Sequence, residues 1–383
     1  MHVQVSYKKQ FVFGIIFLIV ILSAVEGLLR IDDYFNNQCI FMQSDIYPEM
    51  DYGKQKQMCN DYRDIAYLAG VDRHIQPNQE NQTIHINNFG MRGPDITQNK
   101  PSDTFRIFVI GGSTTYGSGS SSDAATIPGF LQELFDNSEI SKKIEVINAG
   151  IEGSTSIEDI YRIKNVLIDL EPDIVVLYQG NNDAHVGWHR YTNHETFETT
   201  LEKKILFFIQ TNLPEYKTPI NAFYLIDRMK SGFQTDSVTN QGVYTADDPY
   251  FNPEHMVERS MIWHNRMKDA CNFGNENGFK TIVIIQPSLG TGNKPLTEYE
   301  KNYILHLGGD DGSGYGAINY DTFANGLTGL DNYCGSAHDL RYMFDNVPEL
   351  VFYDNVHLSD FGNELVAKRI FEIIMPTILD PEV

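Results

Sequence analysis

From Thr104 onward, short apolar runs alternate with longer segments whose apolar residues recur every three or four positions. The short runs have the length of buried strands, and the longer segments have the spacing of amphipathic helices. Strands that alternate with such helices predict βαβ units, and therefore a parallel sheet with helices on both faces. The predicted strands are residues 105–110, 144–147, 174–178, 281–285 and 350–353, and the main predicted helices are residues 127–135, 157–170, 254–277 and 359–374.

Ligands of an open α/β sheet bind beyond the carboxyl ends of its strands, so the residues that follow each predicted strand are the candidates for chemistry. Gly111-Gly112-Ser113 follows the first strand and begins a helix. Paired glycines allow a sharp turn, and a helix N-terminus favours developing negative charge beside the exposed hydroxyl of Ser113. A serine in this position is also a common helix N-cap, so Ser113 alone decides nothing.

Three further strand ends carry polar residues or glycine. Gly150 follows the second strand, where its N–H is accessible to a ligand, although a plain turn would also use glycine. The amide of Asn182 follows the third strand and can donate to an oxyanion, or it can form an Asx-turn. Asp354 and His357 follow the last run, and a carboxylate there can hold an imidazole in the tautomer that accepts a proton from serine. Together the four strand ends predict one acyl-transfer site.

The four blocks, in this order, resemble the SGNH (GDSL-type) family of serine esterases. The matching residues are Gly111-Gly112-Ser113, Gly150, Gly180-x-Asn182-Asp183 and Asp354-x-x-His357. The resemblance covers about residues 104–375 apart from an insertion, and residues 87–93 also resemble the segment that precedes this domain in anchored members. It implies a flavodoxin-like, three-layer α/β/α sandwich with a five-stranded parallel sheet.

The resemblance also implies roles for individual residues. Ser113 would be the nucleophile, His357 its general base and Asp354 the partner that orients the imidazole. The backbone N–H groups of Ser113 and Gly150 and the side-chain amide of Asn182 would form the oxyanion hole. Gly112 stands where the family's name motif has Asp, which is not a catalytic residue.

The N-terminal residues predict a membrane anchor. Lys8 and Lys9 precede an apolar run over residues 11–29 that only Glu26 interrupts. About 20 such residues span a bilayer, and the preceding lysines predict export of the rest of the chain. A cleaved signal peptide is the alternative, and it also places the bulk of the protein outside the cytoplasm. The predicted organisation is a cytoplasmic N-terminus (1–10), a transmembrane signal anchor (11–29), an extracytoplasmic lead-in (30–103) and a hydrolase domain (104–377) with a helical insertion at about 186–253.

Four cysteines are consistent with an exported chain. In an oxidising compartment they predict the disulfides Cys39–Cys59 and Cys271–Cys334. Their spacing is not that of a zinc site, and we expect neither a metal nor another cofactor. His185 and His189 are four residues apart, but surface or packing roles are the preferred interpretation.

The net charge of −22 makes a nucleic-acid partner unfavourable. The sequence therefore predicts a membrane-bound, extracytoplasmic serine esterase that hydrolyses an acyl ester on a cell-surface glycan or lipid. Two alternatives remain open: an O-acyltransferase with the same triad, and a non-catalytic binding module. The insertion either forms a lid or acyl-binding wall over the site, or simply enlarges the domain.

Overall fold

A computed structural model describes residues 6–36, 39–67, 74–186, 191–192, 253–306 and 319–379. The chain divides into two units: the N-terminal helix belongs to the first, and all described residues from Cys39 onward belong to the second. The predicted insertion at 186–253 lies almost entirely outside the described residues, and so do Phe207, Phe208 and Tyr224, on which the lid hypothesis depends.

Helix α1 spans Tyr7–Asn36. Its segment Tyr7–Leu28 has 22 residues and a mean hydropathy of 2.6, and none of the most apolar stretch is buried. At 1.5 Å per residue this segment is about 33 Å long, which matches a hydrocarbon core of about 30 Å. The helix is therefore long and apolar enough to be a membrane span, and a signal sequence would share both properties.

The second unit is built around a five-stranded sheet with the order β4-β3-β5-β6-β7, in which all neighbouring strands are parallel. This is the flavodoxin-like order, and its topological switch point lies between β3 and β5. The predicted α/β sandwich with five parallel strands is confirmed. The strands are β3 (Thr104–Gly111), β4 (Lys143–Asn148), β5 (Ile174–Gln179), β6 (Lys280–Ile285) and β7 (Ser336–Asp339), and a separate antiparallel pair is formed by β1 (Gln79–Glu80) and β2 (His85–Ile86).

Helices cover both faces of the sheet, and alternate residues of each central strand point to opposite faces. Phe108 and Ile110 of β3 pack into one core with Trp263 of α7, whereas Ile107 and Val109 pack into the other core with residues of α4 and α10. The helices are α2 (Tyr52–Arg63), α3 (Ser113–Tyr116), α4 (Ile127–Asp136), α5 (Ser156–Asn165), α6 (Asn181–His185), α7 (Pro253–Asn277), α8 (Glu298–His306), α9 (Tyr320–Ala324) and α10 (Asp360–Leu379).

The structure corrects two predicted elements. Residues 350–353 do not form the fifth strand, because Phe352 makes only an isolated bridge to Leu358, and Ser336–Asp339 pairs with β6 instead. The predicted helix over 157–170 ends at Asn165 and is followed by a 3₁₀ turn over Leu167–Leu170. The closing helix does begin after Ser359, whose Oγ accepts the N–H of Gly362 at 3.2 Å, as expected of an N-cap.

Both predicted disulfides are confirmed. Cys39 bonds to Cys59, and Cys271 bonds to Cys334, with Cα atoms 5.6 Å and 4.8 Å apart, respectively. The first bond closes the part of the lead-in that contains α2. The second ties α7 to the residues just before β7, so it fixes the edge of the sheet to the helix layer that covers it.

Candidate active site

Ser113 and His357 meet at the carboxyl edge of the sheet, although 244 positions separate them in sequence. Ser113 is the first residue of α3, directly after β3 and Gly112. Its Oγ lies 2.7 Å from Nε2 of His357. On the other side of the ring, Nδ1 of His357 lies 2.6 Å from Oδ2 of Asp354. Because the carboxylate accepts, Nδ1 carries the imidazole proton and Nε2 is left to accept the serine proton.

Asp354 is held by its own loop. Its Oδ1 accepts the backbone N–H groups of Val356 at 2.9 Å and of His357 at 2.7 Å, and the residue is only 4% exposed. Burial is the largest single influence and acts to raise the pKa of this carboxyl. The charge and the hydrogen bonds of His357 outweigh burial, and the pKa of Asp354 is lowered. Asp354 is therefore ionised at neutral pH, as an orienting carboxylate must be.

His357 experiences the reverse balance. Burial acts to lower the pKa of the imidazole, but the charge of Asp354 and its hydrogen bond act to raise it, and the charge of Glu152 adds to them. The net effect raises the pKa of His357 above its ordinary value of about 6.5. A base of this strength is well suited to take a proton from serine near neutral pH.

Tyr353 supports the face of the imidazole. Its ring is stacked on His357 with centroids 5.6 Å apart and planes inclined by 11°. The Tyr353 hydroxyl donates to the carbonyl of Ser118 at 2.8 Å, and Phe41 of the lead-in contacts the Tyr353 ring edge-on at 6.2 Å. The ring of Tyr353 thus lies between Phe41 of the lead-in and the imidazole of His357.

Ser118 links the nucleophile to Glu152. The backbone N–H of Ser118 donates to the carbonyl of Ser113 at 3.0 Å, and its hydroxyl donates to Oε1 of Glu152. The hydroxyl of Tyr62, from the end of α2, donates to the other carboxylate oxygen of Glu152 at 2.6 Å. Glu152 therefore lies in a network that contains both the lead-in and the turn after the nucleophile.

Arg92 connects the segment 87–93 to the same turn. The Arg92 side chain is almost completely buried and forms an ion pair with Asp123 at 2.7 Å. Its guanidinium also donates to the carbonyl of Gly117 at 2.8 Å, one residue beyond α3. Through this contact the segment 87–93 helps to fix the turn that follows α3.

The amide of Asn182 lies beside Ser113, at the start of α6. Its Nδ2 donates to the carbonyl of Ser154 at 2.8 Å. A Cβ added to Gly112 would lie only 2.4 Å from this nitrogen, so the absence of a side chain at Gly112 leaves room for the amide next to Ser113.

The N–H of Gly150, a predicted oxyanion donor, has a partner within its own loop. Its N–H already donates to Oδ1 of Asn148 at 3.0 Å, and a Cβ there would lie 2.2 Å from the backbone N of Tyr116. Gly150 is therefore a packing glycine between β4 and α3. A second glycine of the same loop, Gly153, has φ of +62° and is bonded directly to Ser154, whose carbonyl accepts the Asn182 amide. Only its position four residues before the predicted helix pointed to this glycine in the sequence.

Two buried carboxyl groups hold the loop that carries Ser154. Oδ1 of Asp159 accepts the Ser154 hydroxyl at 2.6 Å, and Asp183 accepts the backbone N–H of Ser156 at 3.0 Å. Burial is the main influence on both groups, and it raises the pKa of Asp159 to about 8 and that of Asp183 to about 6. Asp183, the last residue of the Gly-x-Asn-Asp block, thus helps to fix the conformation of the loop that carries Ser154.

Within the described residues, Ser113, His357 and Asp354 are in hydrogen-bond contact, the amide of Asn182 lies beside Gly112, and Gly150 packs on the end of α3. His185 is the half-buried last residue of α6, its Nδ1 lies 2.8 Å from the carbonyl oxygen of Asn181, and burial lowers its pKa to about 4. His189 lies outside the described residues.

Comparison with known proteins gives structural matches only. No protein-family profile and no curated protein sequence matches the chain. Among solved structures, the acetyl xylan esterase AlAXEase matches with a TM-score of 0.40 and 15% identity, over 70% of this chain and all of that one. Axe2, an acetylxylan esterase from Geobacillus stearothermophilus, matches with a TM-score of 0.38 and 13% identity, over 70% of this chain and 94% of that one. A GDSL-like lipase from Bacteroides thetaiotaomicron matches with a TM-score of 0.37 and 12% identity, over 74% and 93%.

Similarity of this degree transfers neither a substrate nor the role of a residue, so the site must be judged by its own geometry. That geometry comprises a parallel sheet of flavodoxin-like order and a serine, a histidine and an aspartate in hydrogen-bond contact at its carboxyl edge. In the described residues, the chain has a flavodoxin-like α/β fold that brings a serine, a histidine and an aspartate into contact at the carboxyl edge of its sheet.

Proposed function

We propose that the protein is an ester hydrolase that acts outside the cytoplasm through a covalent acyl-enzyme on Ser113. The observation that carries the proposal is the continuous hydrogen-bonded series from Ser113 Oγ through His357 to Asp354, at 2.7 Å and 2.6 Å. A helix N-cap serine has no need of a histidine and a buried carboxylate in this geometry. A triad in contact, in contrast, is what nucleophilic catalysis by serine requires.

The proposed reaction has two halves. In the first, Nε2 of His357 takes the proton of Ser113 as Oγ attacks the ester carbonyl, and it then returns the proton to the departing alkoxide. In the second, a water molecule gives its proton to Nε2 and attacks the acyl-enzyme, which releases the acid and regenerates Ser113. Asp354 keeps the imidazole in the accepting tautomer and stabilises the imidazolium in both halves.

The negative charge on the carbonyl oxygen requires preorganised donors. We propose that the N–H of Ser113 and the side-chain amide of Asn182 supply two of them. The amide is supported by its contact with the Ser154 carbonyl and by the space left at Gly112. The loop of Gly153 and Ser154 is the proposed origin of a third donor, in place of Gly150.

The proposed location rests on two features of different kinds. Helix α1 is long and apolar enough to cross a membrane, and both cysteine pairs form disulfides, which persist in oxidising compartments. They support a catalytic unit anchored at, or exported across, a cell membrane. An acyl ester of a surface glycan or of a lipid is accordingly the proposed substrate class.

The full-length protein in detergent provides the test. It should react with a fluorophosphonate probe and hydrolyse a short aryl ester, and Ser113→Ala should abolish both activities. Ser121→Ala, in the loop after α3, is the matched control and should retain both. Unchanged labelling or full esterase activity of Ser113→Ala would overturn the proposal.

A further inference from the structure

Glu152 is a charged residue beside the proposed catalytic groups that has no part in the reaction described above. It lies in the turn just before Gly153 and Ser154, between β4 and α5, and it is partly exposed. Its carboxylate accepts the hydroxyls of Ser118 and Tyr62. The same residue is thus anchored from two sides, by the turn behind the nucleophile and by the lead-in.

The contacts of Ser118 place this carboxylate close to the reacting groups. Ser118 N–H donates to the carbonyl of Ser113, and the Ser118 carbonyl accepts the hydroxyl of Tyr353, whose ring is stacked on His357. Ser118 therefore forms a hydrogen-bonded bridge between Glu152 and Ser113. The charge of Glu152 acts to raise the pKa of His357, as the charge of Asp354 does.

The groups around Glu152 and His357 are mainly neutral phenols, together with the carboxylate of Asp354. Tyr62, Tyr116 and Tyr353 all have a raised pKa, with burial as the main cause and the charge of Glu152 as a further one, so these phenols stay neutral. These titratable and charged groups come from three parts of the chain. Helix α2 supplies Tyr62, and α3 supplies Tyr116, over whose ring Arg92 lies. The loop before α10 supplies Tyr353 and Asp354.

We propose that Glu152 is a specificity-determining residue that makes the site discriminate against esters with a negative charge close to the scissile bond. This inference rests on the proposed ester hydrolysis. A fixed carboxylate that Ser118 connects to Ser113 repels an anionic acyl chain or leaving group, and it leaves neutral esters unaffected. The preferred substrates are therefore neutral acyl esters, such as short acyl groups on uncharged sugars, rather than esters of anionic lipids or acidic sugars.

The experiment compares two esters of equal acyl length in the full-length protein in detergent: para-nitrophenyl hexanoate, and the monoester of adipic acid with para-nitrophenol. The wild type should favour the neutral ester in kcat/KM, and the preference should weaken as salt is added, because salt screens exposed charges. Glu152→Gln should reduce the preference by about threefold, the effect of one charge at a partly solvated distance. Glu152→Asp should retain most of it.

Glu276→Gln is the matched control because it removes the same charge at the end of α7, next to the amino end of β6 and hence opposite the site. It should leave the preference unchanged, which separates the local effect of Glu152 from that of the overall charge of −22. Tyr62→Phe, which keeps the carboxylate, should also retain the preference.

A second measurement does not depend on turnover. Titration of the His357 imidazole by NMR should show a fall of roughly 0.5 in its pKa in Glu152→Gln relative to the wild type. The inference is wrong if the Gln variant keeps the wild-type preference, if the wild-type preference is insensitive to salt, or if the His357 titration does not move. If the wild type hydrolyses neither ester, the proposed function fails instead, and the titration still reports on Glu152.

Discussion

Replacement of Asp354 by asparagine tests the proposed mechanism at one atom. Two backbone N–H groups, of Val356 and His357, point at Oδ1, so an amide in this position keeps its oxygen there. Its NH₂ group must then occupy the place of Oδ2, 2.6 Å from Nδ1 of His357. An NH₂ group cannot accept a proton, so Nδ1 must become the acceptor and the ring proton must move to Nε2. The imidazole then donates to Ser113 instead of accepting from it.

The expected loss in kcat is about 10⁴-fold, which is typical of a triad whose imidazole is held in the wrong tautomer. The shape of the side chain and its two backbone contacts remain, so the unfolding transition should move little. Loss of the carboxylate charge also removes the influence that raises the pKa of His357. Residual activity should therefore reach its plateau at a lower pH than in the wild type.

The assay is the initial rate of aryl ester hydrolysis across pH 5–9 (about the range that brackets a histidine), together with the rate of fluorophosphonate labelling. Asp360→Asn is a suitable control, since Asp360 lies six residues further on and binds Tyr47 and the Ser121 N–H instead of the imidazole. If Asp354→Asn kept more than about a tenth of wild-type kcat, Asp354 would not orient His357 and the mechanism would be refuted.

Further outcomes follow from the same geometry. Asn182→Ala should keep fluorophosphonate labelling but lower kcat by roughly 10²–10³, the usual loss for one oxyanion donor; an unchanged kcat would contradict its role. In the wild type, the acid limb of kcat/KM against pH should have its midpoint above 6.5, because the folded-state pKa of His357 is raised and the base is active only when deprotonated. The double variant Cys271→Ala/Cys334→Ala opens a loop of 63 residues and should lower the free energy of unfolding by about 4 kcal/mol in urea titrations. Arg92→Met removes the ion pair to the partly exposed Asp123 and a hydrogen bond to the Gly117 carbonyl, and it should cost roughly 1–3 kcal/mol by the same measurement, with a parallel loss of activity.

The sequence predicted the parts of the fold that depend on long apolar patterns. Four strands were located within one or two residues, because each is a run of buried apolar side chains between turn residues. The fifth strand, Ser336–Asp339, was missed because it lies at the sheet edge, pairs only with β6 and is partly exposed. The sequence of this strand is polar and has no periodic pattern that would predict a strand. Residues 350–353 are apolar because they support the loop of Asp354 and His357, and not because they belong to the sheet.

The site was predicted where a residue type has few alternative uses. Ser113, Asn182, Asp354 and His357 could be selected as candidates because their order along the chain matches one chemistry. Glycine has many uses, and the choice of Gly150 over Gly153 could not be made without backbone angles. Tyr353, Ser118 and Arg92 were also missed as supports of the site, because each acts through a contact with a backbone carbonyl, which leaves no mark in the sequence pattern.

The contact between the lead-in and the last helix has a consequence for the order of folding. The hydroxyl of Tyr47 donates to Asp360, 313 positions later, and to the carbonyl of Gly119. Contacts between such distant segments cannot form until the later segment has been made, and in an exported chain until it has been translocated. Phe41 and Tyr47 are therefore synthesised early but stay exposed until Tyr353 and Asp360, their partners near the C-terminus, are available. A ribosome or translocon that stalls before Asp354 would leave an apolar surface open to aggregation or to a chaperone, and it would release no active enzyme.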